Sequence, residues 1–201
     1  MRPEQADLLI AEYQNGYELA NHVDGVRNVL TSFYLTVIGG LVLLAGRLLD
    51  PTASVTGPVS NEVVLSAIGG LVLVVGLLMT VVVARLRRVQ LERYVIANRI
   101  LDVMLLTEET SEIQLRSTVH FSNKRLTFGQ SARYGELLSG SFCWTLLIVI
   151  PNSLVGGAIA VLIGYHLGAH ALGNAVWSVG VSSACLLLHV QAYLGLARFD
   201  G

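Results

Sequence analysis

His189 and Gln191 lie within one long apolar stretch, and Pro151 and Asn152 lie within another. In hydrocarbon a polar side chain is costly unless paired, so such residues mark either hydrogen bonds between helices or a polar path. Pro151 frees a backbone carbonyl and loosens the helix around Asn152. An imidazole is the side chain that changes charge near neutral pH. Two arrangements fit: a kink with interhelical hydrogen bonds, or a path lined by Pro151, Asn152, His189 and Gln191. On straight helices Asn152 is expected about two turns deeper than His189, so that direct contact needs a kink or a second subunit.

Other residues offer less chemistry. His166 and His170 have the four-residue spacing of a helical metal pair, but Gly168 separates them, no acid is close in sequence, and a metal site needs further ligands. His22 and His120 are solitary. Cys143 and Cys185 fall at depths that differ by roughly 10 Å, which opposes a disulfide and leaves them as small buried hydrophobes. The chain has no phosphate-cradling glycine loop, nucleophile elbow, HExxH or CxxC. The long apolar stretches hold no Asp or Glu, the usual carboxylate of a proton-coupled transporter. The expectation is a non-enzymatic protein with no cofactor and no metal.

The elements that must position these residues are long apolar helices. The chain has 201 residues, 53% hydrophobic and 13% charged, against about a quarter charged in a soluble domain. Four windows, 29–49, 63–84, 142–165 and 172–197, reach the roughly 20 apolar residues that cross a bilayer as helix. The first 28 residues carry five acids before any apolar run, which is not the pattern of a cleavable signal peptide.

Nine of the 13 basic residues fall between Arg85 and Arg133. Of the rest only Arg47 belongs to the other face, so the positive-inside rule puts both termini and the central segment in the cytoplasm and the protein in the inner membrane. The fold class expected is all-α: a polytopic membrane protein with four spans in two antiparallel hairpins and cytoplasmic helical extensions. The segments are a cytoplasmic helix over 1–28, a first hairpin over 29–84, a cytoplasmic helix and irregular segment over 85–138, a second hairpin over 142–197 and a tail over 198–201. Arg85, Arg87 and Arg88 form a collar suited to anionic lipid head groups. A net charge of -1 gives no reason to expect nucleic acid.

Small residues at helical spacing are what let helices touch in a membrane. The hexapeptide IGGLVL occurs at 38–43 and again at 68–73. Ser32, Gly39 and Gly46 share one face of the first span and are expected to meet Gly69 and Gly76 of the second at matched depth. Gly156, Ala160 and Gly164 form a seam on the third span, with Gly173 and Gly180 at matching depths on the fourth. Some of these faces are alternatively available for joining subunits.

Outside the spans, Leu9, Tyr13, Tyr17 and Ala20 repeat at helical spacing, and nothing but Gly16 and Gly25 interrupts the run into the first span. After the second span Leu91, Tyr94, Asn98, Leu101 and Leu105 make one stripe and Val89, Ile96, Ile100 and Val103 another. Two stripes imply two neighbours: the amino-terminal helix and either the loop beyond or another copy, hence a homo-oligomer. Residues 107–138 alternate in places and are compatible with a short strand pair or an amphipathic surface loop.

The run LLIAEYQNGYELANHVDGVRNVLTSFYLTVIGG, a second span, then RLRRVQLERYVIANRILDVML, with Tyr13, His22, Arg27, Tyr94 and Asn98, resembles the layout of SLATT-type two-span effector modules of bacterial conflict systems. The resemblance covers about residues 6–106. It implies a module that oligomerises and perturbs the membrane when a partner senses a signal, the sensor here being a separate cytoplasmic protein. The second hairpin is not part of that module, and the resemblance carries over no ligand site. Two functions follow as expectations: an oligomeric effector or signalling component in the bilayer that forms a pore or perturbs the membrane on a signal, or a structural accessory subunit that anchors a partner through its cytoplasmic segment.

Overall fold

The computed structural model describes residues 3–48, 61–105 and 140–197. The expected outer loop over 50–60, the strand pair or surface loop over 107–138 and the tail over 198–201 lie outside them. Among the described residues the protein is all helix: α1 (Pro3–Leu48), α2 (Asn61–Leu105), α3 (Gly140–His166) and α4 (Ala171–Leu196). All four are long and apolar enough to cross a membrane. At 46 and 45 residues, α1 and α2 are each close to 70 Å long at about 1.5 Å per residue, over twice the hydrocarbon thickness of a bilayer.

Contacts divide the chain into two compact units, one formed by residues 1–28, 84–142 and 194–201, the other by residues 29–83 and 143–193. The second holds the apolar part of every helix. Its surface exposes Leu43, Leu71, Leu78, Leu154, Val176 and Leu187, far more apolar area than a water-soluble surface tolerates. Its interior mixes apolar residues such as Ile38, Val72, Val83, Ile148 and Val149 with polar ones: Thr31, Tyr34, Thr80, Thr145, Asn152 and Ser153 are buried. Several hydroxyls are satisfied within their own helix, Thr80 Oγ1 donating to the Gly76 carbonyl at 2.9 Å and Ser153 Oγ to Val149 at 2.8 Å.

α3 passes to α4 through Leu167–His170. The amides of Leu167 and Ala169 donate to the carbonyls of Ile163 and Gly164, and Gly168 takes a φ of 70°, a left-handed conformation that only glycine adopts freely. On the return, Asn174 lies against Gly164, Ser178 and Ser182 against Gly157, and Cys185 against Gly156. Ser178 Oγ donates to the Gly157 carbonyl at 3.0 Å. α4 therefore docks through a narrow stripe of small polar residues three or four apart, received by glycines. Gly173 and Gly180, expected to form that contact, are exposed with open space around them, because they lie off the stripe.

A similar correction applies to α1 and α2. Gly69 and Gly76 are buried against α3, where an added methyl at Gly69 would meet Ile159 Cδ1 at 2.8 Å and one at Gly76 would overlap the Asn152 amide. Ser32, Gly39 and Gly46 face outward, and a methyl added at Gly39 or Gly46 would meet nothing. The face of α1 that is used is Thr31, Tyr34 and Ile38, larger residues one or two positions away. The glycines of α2 admit α3, and those of α1 are not their partners.

In the other unit, Gly16, Ala20 and Val23 of α1 and Leu91, Ala97, Asn98 and Leu101 of α2 are buried at heptad-like spacing. The second stripe of α2, with Val89, Ile96 and Val103, is exposed. Arg85 and Arg88 are exposed, and Arg88 pairs with Glu92 at 3.1 Å. Arg87 leaves the expected collar: it is 3% exposed and donates to Gln90 Oε1 at 2.9 Å, while Gln90 Nε2 reaches Tyr94 Oη at 3.2 Å. Arg27 is likewise buried, paired with Asp24 at 2.7 Å. Helical rotation of 100° per residue turns Arg87 inward between two outward arginines.

The docking of α4 yields a test. Gly157→Ala places a methyl on Ser182 Oγ and should destabilise the fold by about 1–3 kcal/mol, whereas Gly180→Ala, on the open face, should change it by less than about 0.5 kcal/mol. Unfolding in mixed detergent micelles measures both.

Candidate functional site

Two of the residues that the sequence marks for chemistry, Asn152 and His189, meet in the apolar unit. Asn152 of α3 is fully buried and His189 of α4 is 4% exposed. Their side chains are in direct contact, Asn152 Nδ2 to His189 Nε2 at 2.8 Å. The expected depth difference does not prevent this. Counted from the shared turn at Leu167–His170, the two residues are about one turn apart, a gap the side chains span.

Donors and acceptors settle the protonation pattern. His189 Nδ1 lies 2.8 Å from the Cys185 carbonyl, which can only accept, so Nδ1 carries the proton. Nε2 of the neutral ring is then an acceptor and receives a hydrogen from Asn152. The second Asn152 Nδ2 hydrogen goes to the Leu73 carbonyl of α2 at 3.2 Å. Oδ1 lies 3.4 Å from Tyr34 Oη of α1, which is equally 3.4 Å from the Ile148 carbonyl. One amide thus ties all four helices.

The local reasons for this arrangement are legible. Gly76 leaves the space that the amide fills. Pro151 stands one residue before Asn152 inside α3 and, lacking an N–H, leaves the Leu147 carbonyl without its helical donor. Tyr34 lies on the buried face of α1, with a body that packs and a hydroxyl that reaches the site.

Gln191 is not brought to the site: it is exposed, two positions from His189 and so on another face of α4. The four residues therefore line no path within one chain. Asn152 and His189 form a closed and satisfied knot, Pro151 sits beside it, and Gln191 faces away. Tyr34 completes the knot and carries a signal that sequence reasoning passed over, a tyrosine inside an apolar span. The polar stripe Asn174, Ser178, Ser182, Cys185, His189 was likewise readable from its spacing.

His166 has a partner that its sequence neighbours do not reveal: Nε2 lies 2.9 Å from Glu62 Oε2, joining the end of α3 to the start of α2. Both groups are largely exposed, so the pair contributes little to stability. Among the described residues no three His, Cys, Asp or Glu side chains converge as a metal site, and both cysteines are free.

The fold and site define a class, the multi-pass α-helical membrane protein with a buried polar centre. Comparison adds nothing more specific: no family model, curated protein or solved structure matches the chain.

The knot makes its own prediction. Asn152→Leu removes the donor to His189 and Leu73 and should cost about 1–3 kcal/mol. Gly76→Ala displaces the same amide and should cost a similar amount. Combined, the two should cost clearly less than their sum, because they break one interaction. A double-mutant cycle on detergent unfolding reads this.

Proposed function

We propose that the protein is a non-enzymatic, oligomeric effector or signalling component of the inner membrane, whose bilayer unit is held shut by the Asn152–His189 knot and loosened when His189 takes up a proton. In this reading the unit formed by residues 29–83 and 143–193 lies in the bilayer as two antiparallel hairpins. The unit containing residues 1–28 and 84–105 is cytoplasmic. The distribution of Lys and Arg supports that orientation. The layout shared with SLATT-type modules over residues 6–106 is in keeping with it, a separate cytoplasmic partner delivering a signal. Homo-oligomerisation has two candidate faces, the exposed Val89, Ile96 and Val103 stripe and the outward Ser32, Gly39 and Gly46 face.

The observation that carries the reading is the knot itself. An ionisable side chain inside a membrane span is a functional candidate by default, and this one is bonded to the amide that reaches the other helices. Among the described residues it has no ion-pair partner. The groups bonded to it are neutral, Asn152 from α3 and the Cys185 carbonyl of α4, and Asn152 in turn bonds to Tyr34 of α1 and the Leu73 carbonyl of α2. No Asp, Glu, Lys or Arg occurs in 29–46, 63–84, 142–165 or 171–197.

A proton on Nε2 turns an acceptor into a donor that confronts the Asn152 Nδ2 donor. The amide must then rotate to offer Oδ1, which withdraws the donor from Leu73 and turns Nδ2 toward Tyr34. The buried cation also has no partner. Both effects oppose the four-helix tie, so the closed arrangement is the one in which Nε2 carries no hydrogen.

The second reading, an accessory subunit, is favoured by the closure of the knot and the outward position of Gln191, which leave no polar path in one chain. Dye release from liposomes separates the two. The effector reading expects vesicles that are tight at neutral pH and leak on acidification, and expects His189→Gln, which cannot take up the proton, to remove the acid response. Vesicles tight at every pH for both proteins reject the proton-gated effector and leave the accessory subunit.

A further inference from the structure

Beyond Ala84, α2 carries two heptad seams. One, with Leu91, Asn98 and Leu101, is buried in the contact where Gln90 Nε2 reaches the Ala20 carbonyl of α1 at 3.5 Å. The other is Leu86, Val89, Arg93, Ile96, Ile100 and Val103, whose alternating steps of three and four match the core positions of a coiled coil over about 26 Å of helix. Val89, Ile96 and Val103 are exposed, and Leu86, Arg93 and Ile100 are half-buried. The chain leaves this second seam open.

Charge decides what fits against it. Arg93 is the charged member of the seam, and it makes no ion pair with another described residue. In a parallel coiled coil each core residue inserts among four residues of the facing helix. For two copies of α2 in register, Arg93 of one inserts among Val89, Glu92, Arg93 and Ile96 of the other. Glu92 holds Arg88 of its own helix through Oε1 at 3.1 Å, and Oε2 is left to receive the second copy's arginine. The seam therefore complements itself in both apolar pattern and charge, and a single polar core residue fixes its register at some cost in stability.

We propose that this seam joins two copies of the protein, their α2 helices parallel and in register from Leu86 to Val103, with Arg93 of each paired to Glu92 of the other. The proposal rests on the bilayer placement in the reading above, but not on the proton response of His189. Because α2 is one continuous helix from Asn61 to Leu105, copies inserted the same way present the seam in one direction and at one height.

Disulfide cross-linking of the full chain in membranes tests it, in a Cys143→Ser background that removes the exposed native thiol. Ile96→Cys faces its own counterpart within disulfide reach and should give a dimer that the background chain does not. Arg88→Cys, exposed but off the seam, should stay monomeric. Glu92→Arg should weaken dimerisation of the detergent-purified chain about tenfold, and Glu92→Arg with Arg93→Glu, which exchanges the two charges, should restore it.

Ile96→Cys that gives no dimer overturns the proposal, as does Arg88→Cys that gives as much. Ile96→Cys linked instead to a different protein overturns it too, because the seam then serves another partner. A double charge exchange no better than Glu92→Arg removes the proposed pairing. Absent cross-links with an intact acid response overturn the seam alone, whereas cross-links at Ile96 in vesicles tight at every pH overturn the effector reading alone.

Discussion

The Asn152 amide is the constraint on which the apolar unit depends. Lipid tails are as apolar as the helix surfaces, so burial of hydrocarbon gives these helices little reason to associate. What remains is close packing and the few hydrogen bonds that hydrocarbon makes costly to leave open. Asn152 combines both, filling the space left by Gly76 and engaging α1, α2 and α4 through two donor hydrogens and one acceptor. His189 completes the arrangement because its other nitrogen is tied to its own helix at Cys185. The amide orientation and the imidazole tautomer then determine each other, so the site has one satisfied state.

The rest of the unit is arranged around that point. α4, with the least buried apolar surface of the four helices, is attached by Asn174, Ser178, Ser182, Cys185 and His189, and its Leu and Val residues face outward. Glycines 156, 157 and 164 on α3 receive this stripe, and the neighbouring face of α3, with Asn152, Val155 and Ile159, meets Gly69 and Gly76 of α2. α3 is thus the central helix, and its small residues serve two neighbours. α1 meets α3 at Tyr34, whose hydroxyl lies 3.4 Å from both the Ile148 carbonyl and Asn152 Oδ1.

The other unit uses water-compatible chemistry for a related purpose. Arg87 and Gln90 are buried at a helix contact that their residue types do not advertise, with Gln90 linking Arg87 to Tyr94. A three-arginine cluster reads as a uniform surface in sequence, but successive residues of a helix cannot share a face. Arg85 and Arg88 remain available to solvent or lipid head groups, and Arg87 is structural.

The sequence by itself determined the four long apolar helices, because length and hydropathy are properties of the chain and need no neighbour. It also marked Asn152 and His189, since a polar side chain in an apolar run is anomalous wherever the helix packs. Which faces meet was decided only by tertiary structure. A glycine permits close approach without naming its partner, so Gly39 and Gly46 looked as suited to a seam as Gly69 and Gly76, yet only the latter pair is used. Rotation about each helix axis and the pairing of helices across the chain bring Tyr34, Leu73, Asn152 and His189 together, and turn Gln191 away. Those are relations among distant residues, and spacing along one helix carries no information about them.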